Sequence, residues 1–298
     1  MEILKITDLY KSYGRKDVLK GLNLSVQEHS IFGFVGKNGA GKTTAMKAIL
    51  GLIKADRGQI DVCGEPVTFG ETKTNRYIGY LPDVPEFYSF MTGREYLRLC
   101  GECLNMTNQE IGVRCDELLS TVGLAAEKHR IGGYSRGMKQ RLGIAQALFA
   151  KPKLLICDEP TSALDPVGRR EILELLRSLC EETTVFFSTH ILSDVERVCT
   201  DIAILNDGRI SLCGAIDEVK GIHANDAFLV ELFDKKGLLM LQNAFSADLC
   251  DNDTLIFSGG DSEMQLVMKY ISENKLAINK IERIQPSLES LFMEAVNK

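Results

Sequence analysis

The sequence predicts an α/β protein with a parallel-sheet core, a helical insertion and a small C-terminal α/β region. Three observations predict it. A glycine-rich loop at residues 36–43 lies between an apolar strand-like run and a helical run. Strand-like and helical segments alternate on both sides of a long helical stretch. The pattern and charge of the chain change near residue 220.

The elements follow in order. Residues 3–10 and 22–27 alternate apolar and polar, as antiparallel strands do. Residues 30–35, Ser-Ile-Phe-Gly-Phe-Val, read as a short buried strand, and residues 43–51 as a helix. Residues 58–63 and 77–81 are further short strands. From 93 to 150 the pattern is helical. Strand-like runs return at 154–157, 184–188 and 202–206, separated by helical stretches at 167–181 and 191–198. Asn206-Asp207-Gly208 is a hairpin turn. Beyond Gly221, residues 227–233, 254–257 and 277–284 read as strands, and residues 262–272 and 287–296 as helices.

A chain of 298 residues that is 45% apolar and 26% charged is an ordinary globular composition. No apolar run is long enough to cross a bilayer, and the first residues lack a signal-peptide core. The expected place is therefore the cytoplasm. Nine scattered cysteines fit reduced thiols better than a disulfide scaffold. Cys100-x-x-Cys103 is a lone pair inside a helical pattern and reads as two packed helix cysteines. Residues 1–214 carry equal numbers of acidic and basic side chains, so the formal charge of −6 resides in residues 215–298. Nothing is basic enough for a nucleic-acid surface.

The loop carries the chemistry. Gly36-Lys37-Asn38-Gly39-Ala40-Gly41-Lys42-Thr43 fits the phosphate-binding pattern G-x-x-x-x-G-K-[ST]. Its glycines let backbone N–H groups wrap an anion, and the helix that follows adds its dipole. Lys42 is placed to reach the β- and γ-phosphates of a nucleotide, and Thr43 to offer its hydroxyl to Mg²⁺. Residues 154–157 form an apolar strand that ends in Asp158 and Glu159. Asp158 is placed to hold Mg²⁺, and Glu159 to activate the attacking water. Ser135 is a natural N-cap for a helix running through Leu142 and Leu148, and its N-terminus is a second anion site. One ATP has one γ-phosphate, so a second site points to a partner's ATP; taken alone, the segment reads as an ordinary helix cap.

With these motifs in hand, the chain resembles the ATP-binding cassette (ABC) ATPase family throughout residues 1–214. Tyr134-Ser135-Arg136-Gly137-Met138 corresponds to the signature motif, and Ser162-Ala163-Leu164-Asp165 looks like the D-loop. His190 looks like the switch histidine that contacts the γ-phosphate, and Tyr13 like the aromatic that stacks on adenine. The resemblance implies a P-loop NTPase core with a RecA-like parallel sheet, an antiparallel β subdomain and a helical subdomain at about residues 85–150. It implies ATP and Mg²⁺ as cofactors, with Thr44 continuing the ATP site. It also implies a head-to-tail homodimer or cassette dimer that clamps each ATP between Lys42 of one subunit and Ser135 of the other. Tyr-Ser-Arg-Gly-Met-Lys-Gln-Arg, Ile-Gly-Tyr-Leu-Pro and Pro-Ser-Leu-Glu-Ser-Leu-Phe resemble the bacitracin and multidrug exporter-type branch.

The expected domains are 1–220, the ATPase, and 221–298, an accessory domain. The expected function is an ATP-hydrolysing subunit of an exporter of drug, antibiotic or peptide. It would attach peripherally to the membrane through a separate permease, and no nucleic-acid partner is expected. The alternatives are a soluble ABC ATPase and a nucleotide-gated regulator. The sequence departs from the family pattern at three places. Asp83 replaces the Q-loop glutamine and stays able to contact Mg²⁺. Arg136 replaces the first signature glycine, either adding charge near the partner's γ-phosphate or pointing to solvent. Met138 replaces the signature glutamine. Asp83 and Asp165 are the candidate coupling residues.

Overall fold

Two long strands open the chain, β1 (Glu2–Tyr13) and β2 (Lys16–Gln27), paired antiparallel. The computed structural model describes residues 1–71, 73–222, 227–251, 253–284 and 287–297. β2 begins well before residue 22. The pairing shifts register between Leu9 and Tyr10 and between Lys11 and Ser12, which breaks the alternation that marks its second half. β3 (Ile31–Gly36) is buried along its whole length and feeds the loop before α1 (Lys42–Ile49). β4 (Arg57–Val62) and β5 (Glu65–Pro66) complete a four-stranded sheet of order β2-β1-β4-β5.

β6 (Ile78–Leu81) leads into three helices, α2 (Gly93–Cys103), α3 (Asn108–Thr121) and α4 (Arg136–Leu148). Of their starts, only the Ser135 cap is read from the sequence. Thr92 with Glu95, and Thr107 with Glu110, form reciprocal capping boxes, and Ser135 caps α4. Cys100 is partly buried on α2, and burial pushes its thiol up to about 11. Cys103 is exposed, so only one of the two cysteines is packed.

β7 (Leu154–Asp158), α5 (Pro166–Leu179), β8 (Thr184–Thr189), α6 (Leu192–Val198), β9 (Asp201–Asn206) and β10 (Arg209–Ala215) follow. Asp207 and Gly208, both at positive φ, turn β9 into β10. The six-stranded sheet has the order β10-β9-β3-β8-β7-β6. Pairs β9–β3, β3–β8, β8–β7 and β7–β6 are parallel, and only β10 is antiparallel. β3, β7 and β8 are buried on both faces, as central parallel strands are. Phe32 and Phe34 pack on Phe186 at ring-centroid distances of 5.6 and 5.4 Å. This core continues through α1 to the apolar face of the four-stranded sheet.

The chain divides into two compact units, the second covering Asp217–Glu294. It begins within α7 (Ile216–Ile222) and contains β11 (Phe228–Leu232), α8 (Lys235–Ala244), β12 (Ala247–Asp251), β13 (Thr254–Phe257), α9 (Asp261–Glu273) and β14 (Ile278–Arg283). α10 (Leu288–Asn297) closes the chain. The order β12-β13-β11-β14 is antiparallel throughout, a split βαβ arrangement of the ferredoxin-like type. Phe228, Val230, Leu232, Leu255 and Phe257 pack with Leu238 and Leu241 of α8 and Val267 and Ile271 of α9. The sequence reading did not find α8 or β12. Pro286, part of the closing motif, lies outside the described residues.

One buried charge ties the helices together. Arg114 of α3 is 8% exposed and donates from Nε to the Phe149 carbonyl at 3.3 Å and from Nη1 to Glu117 at 2.6 Å. Its Nη2 donates to the Leu148 carbonyl, so the guanidinium satisfies carbonyls that α4 leaves open at its C-terminus. Arg114→Met keeps the aliphatic stem and removes these donors. Thermal melting should show a loss of about 2–3 kcal/mol with nucleotide affinity unchanged. An unchanged melting temperature would contradict this capping role.

Candidate functional site

The parallel sheet gathers the sequence motifs. β3, β8 and β7 are neighbours, and Asp158 stands opposite Ser188 in the parallel register. The loop after β3, the acidic end of β7 and the end of β8 therefore meet at the carboxyl edge of the sheet. Ligands of open parallel sheets bind at that edge.

The loop is shaped for an anion. Gly39 is at φ 82° with open space where a Cβ would stand. Gly41 caps α1 at φ 111°, where a Cβ would press on Leu19 and on the Val18 carbonyl. Side chains at these positions would strain the backbone and, at 41, clash. α1 carries no acidic residue in its first turn to compete with an incoming phosphate. Thr44 is half-buried on α1, whereas Lys37 and Asn38 are exposed on the loop and Ala40 donates to the Lys37 carbonyl at 3.1 Å.

Lys42 is 6% exposed and held from several sides. Its Nζ donates to the Gly36 carbonyl at 2.7 Å and stands 3.2 Å from Glu159 Oε1. Oε2 of the same carboxylate lies 2.9 Å from His190 Nδ1. An ionised Glu159 can only accept, so Nδ1 carries the proton in this pairing. Glu159 itself sits at φ 48°, in the left-handed region that glycine favours. Its N–H donates to Ser188 Oγ at 3.1 Å, which holds the strained turn and aims the carboxylate back at Lys42.

Asp158 is 4% exposed and doubly bonded. Thr43 Oγ1 donates to Oδ2 at 2.9 Å, and Ser188 Oγ donates to Oδ1 at 2.6 Å. Oxygen donors of this kind suit a hard divalent cation such as Mg²⁺. Ser188 was missed by sequence reading. Its signal was its place at the end of a strand that neighbours β7, which only the sheet order reveals.

The turn after Glu159 is pinned by buried groups. Thr161 Oγ1 donates to Asp194 Oδ2 at 2.6 Å, and burial raises the Asp194 carboxyl above the usual range. Asp165 caps α5 by accepting from the Gly168 N–H at 3.1 Å.

Other predicted residues stand apart from this cluster. Tyr13 ends β1 with half its surface exposed and the Lys11 ammonium 5.3 Å from its ring centroid. Ser135 is exposed and accepts from the Met138 N–H at 3.2 Å. Gly137 and Met138 lie in the first turn of α4, which has no acidic residue. Among the described residues, no hydrogen bond or ion pair joins 135–138 to the loop 36–44 of the same chain. The Arg136 side chain is 43% exposed. Its Nη2 lies 3.6 Å from Asp83 Oδ1.

The family described as ABC transporter matches residues 19–162. The chain is 38% identical over 299 residues to the uncharacterized ABC transporter ATP-binding protein YxlF of Bacillus subtilis (strain 168), covering 99% of this chain and 100% of that one. It is 36% identical over 305 residues to the bacitracin transport ATP-binding protein BcrA of Bacillus licheniformis, covering 99% and 97%. Among solved structures, the dimeric post-hydrolysis state of the ATP-binding cassette MJ0796, bound to ADP and Pi, superposes with a TM-score of 0.64 at 26% identity, covering 72% of this chain and 98% of that one. Identities of 38% and 36% over nearly the full length of these relatives place the chain in the ABC transporter family as an ATP-binding subunit with ATPase activity.

Proposed function

We propose that the chain powers an exporter of drug, antibiotic or peptide by hydrolysing ATP with Mg²⁺ in a head-to-tail dimer. The observation that carries this reading is the contact of Lys42 with Glu159, and of Glu159 with His190, at the mouth of the loop. The nucleotide's phosphate takes the place that Glu159 holds on Lys42. Glu159 is then free to orient and deprotonate water. His190, released from the carboxylate, can present an N–H to the γ-phosphate. Loop N–H groups and Lys42 hold the phosphates in line. Thr43, Asp158 and Asp83 are the residues that would hold Mg²⁺, which neutralises charge on the transferring phosphoryl group.

Two features support the dimer. Ser135 and the open first turn of α4 bind nothing in their own loop. A relative cassette with the same fold is a dimer bound to ADP and Pi. An exporter role is supported by the end-to-end match to BcrA, which is named for bacitracin transport. No helix among the described residues is long and apolar enough to cross a membrane, and this reading assigns the crossing to a separate permease. Its docking surface is the aromatic group that follows Asp83. Tyr88 and Phe90 are 54% and 62% exposed, with ring centroids 5.8 Å apart. Phe87 is partly buried and packs edge-on to Tyr96 at 4.9 Å. Exposed aromatics of this kind mark contact surfaces. Residues 221–298 are the accessory domain in this reading.

Glu159→Gln should lower turnover by at least about 100-fold while ATP binding persists, whereas Lys42→Ala should weaken binding itself. In light scattering, Glu159→Gln should double in mass with Mg-ATP and not with Mg-ADP. Adding Ser135→Arg should keep it a monomer. Near-normal turnover in Glu159→Gln removes its role as base, and one mass in every nucleotide state removes the dimer.

The permease contact has its own test. Tyr88→Glu and Phe90→Glu alter exposed rings, so the isolated subunit should fold and hydrolyse ATP normally. Co-purification with the permease it energises should fall by about tenfold or more. Intact co-purification would place the contact elsewhere.

A further inference from the structure

The loop that carries Asp83 is fastened to α4 at three points. Gln140 is fully buried and donates from Nε2 to the Asp83 carbonyl at 2.7 Å. Gly143 lies against Leu81 and Pro85, where a Cβ would come within 2.5 Å of Leu81 Cδ1. Arg136 stands one turn before Gln140 on the same helical face, with Nη2 3.6 Å from Asp83 Oδ1. That oxygen is enclosed and accepts no hydrogen bond from the described residues. An enclosed carboxylate oxygen without a donor is the atom a cation will claim.

Two cations compete for it. One is the guanidinium of Arg136, in the first turn of the helix capped by Ser135. The other is the Mg²⁺ of the chain's own nucleotide, on the reading given above for Asp83. We infer that Arg136 is a positioning residue for Asp83: it holds the carboxylate toward α4 when no metal nucleotide is bound, and yields it when Mg²⁺ arrives. The inference rests on that reading of Asp83. The exchange frees the guanidinium beside Ser135, where a second subunit's phosphate would lie. Loading of one site then prepares the same chain's signature helix for the partner's ATP. Gln140 keeps the backbone of the loop in place, so the exchange needs only side-chain movement. The pair is about half exposed, with 43% and 45% of the two side chains accessible. Its strength is that of a partly screened ion pair, about two- to fivefold in an equilibrium.

The test is a double-mutant cycle read by metal binding, not by turnover. Mg²⁺ is titrated calorimetrically into the full chain saturated with a non-hydrolysable ATP analogue, at a concentration where light scattering shows a monomer. Arg136→Gln should tighten Mg²⁺ by about two- to fivefold, and Arg136→Lys should restore the parent value. Asp83→Asn should weaken Mg²⁺, and in that background Arg136→Gln should change nothing. The gain from Arg136→Gln should also shrink in high salt. If Asp83→Asn leaves Mg²⁺ affinity unchanged, the reading of Asp83 as a metal contact fails, and the inference fails with it. If Asp83→Asn weakens Mg²⁺ but Arg136→Gln acts equally in both backgrounds, Arg136 acts through space and the positioning role alone is overturned. Melting temperatures close to the parent's confirm that each variant is folded.

Discussion

The rest of the site depends on the buried ammonium of Lys42. At 6% exposure its burial is costly unless anionic or dipolar partners face it. The loop carbonyl of Gly36 supplies a dipole, and Glu159 supplies the countercharge. That need organises the neighbourhood. Glu159 accepts a left-handed backbone, Ser188 stabilises the resulting turn, and His190 takes the second carboxylate oxygen. Within the cradle the Lys42 charge therefore has its own counter-anion in Glu159. On the proposed reading, a phosphate replaces one anion with another, so binding exposes no bare lysine at any stage.

The same replacement links binding to chemistry. The carboxylate displaced from Lys42 is the group best placed to act on water. In the proposed mechanism, a base that serves as countercharge becomes available only when phosphate is present. Such an arrangement would limit idle proton transfer and couple the loop to the β7–α5 turn. That turn continues through the buried Thr161–Asp194 hydrogen bond to α6 and through Asp165 to α5.

Much of this was legible in the sequence, for physical reasons. The strand–loop–helix around 36–43 is local, and glycine and lysine at fixed spacing leave few other conformations. The capping residue Ser135 announces its helix because the orphan N–H groups need it, whereas the capping boxes at Thr92 and Thr107 were not read from the sequence. What else escaped was non-local or irregular. The first half of β2 hides behind register shifts. In α8, Leu238 and Leu241 are buried while Leu239 is exposed, and the short run Leu-Leu-Met-Leu does not reveal a period. Ser188 becomes significant only once β7 and β8 are neighbours. The partner of Arg136 is more than fifty residues away in sequence, and no pattern along the chain could name it.

The central claim is that Glu159 stands in for phosphate on Lys42. Its most direct measurement is the calorimetric affinity of the full chain for ADP without turnover, comparing the parent with Glu159→Gln. A neutral amide competes poorly for the ammonium, so the account predicts that ADP binds several-fold more tightly to Glu159→Gln, with the difference narrowing as salt is raised. Equal or weaker ADP binding by a well-folded Glu159→Gln chain would contradict it.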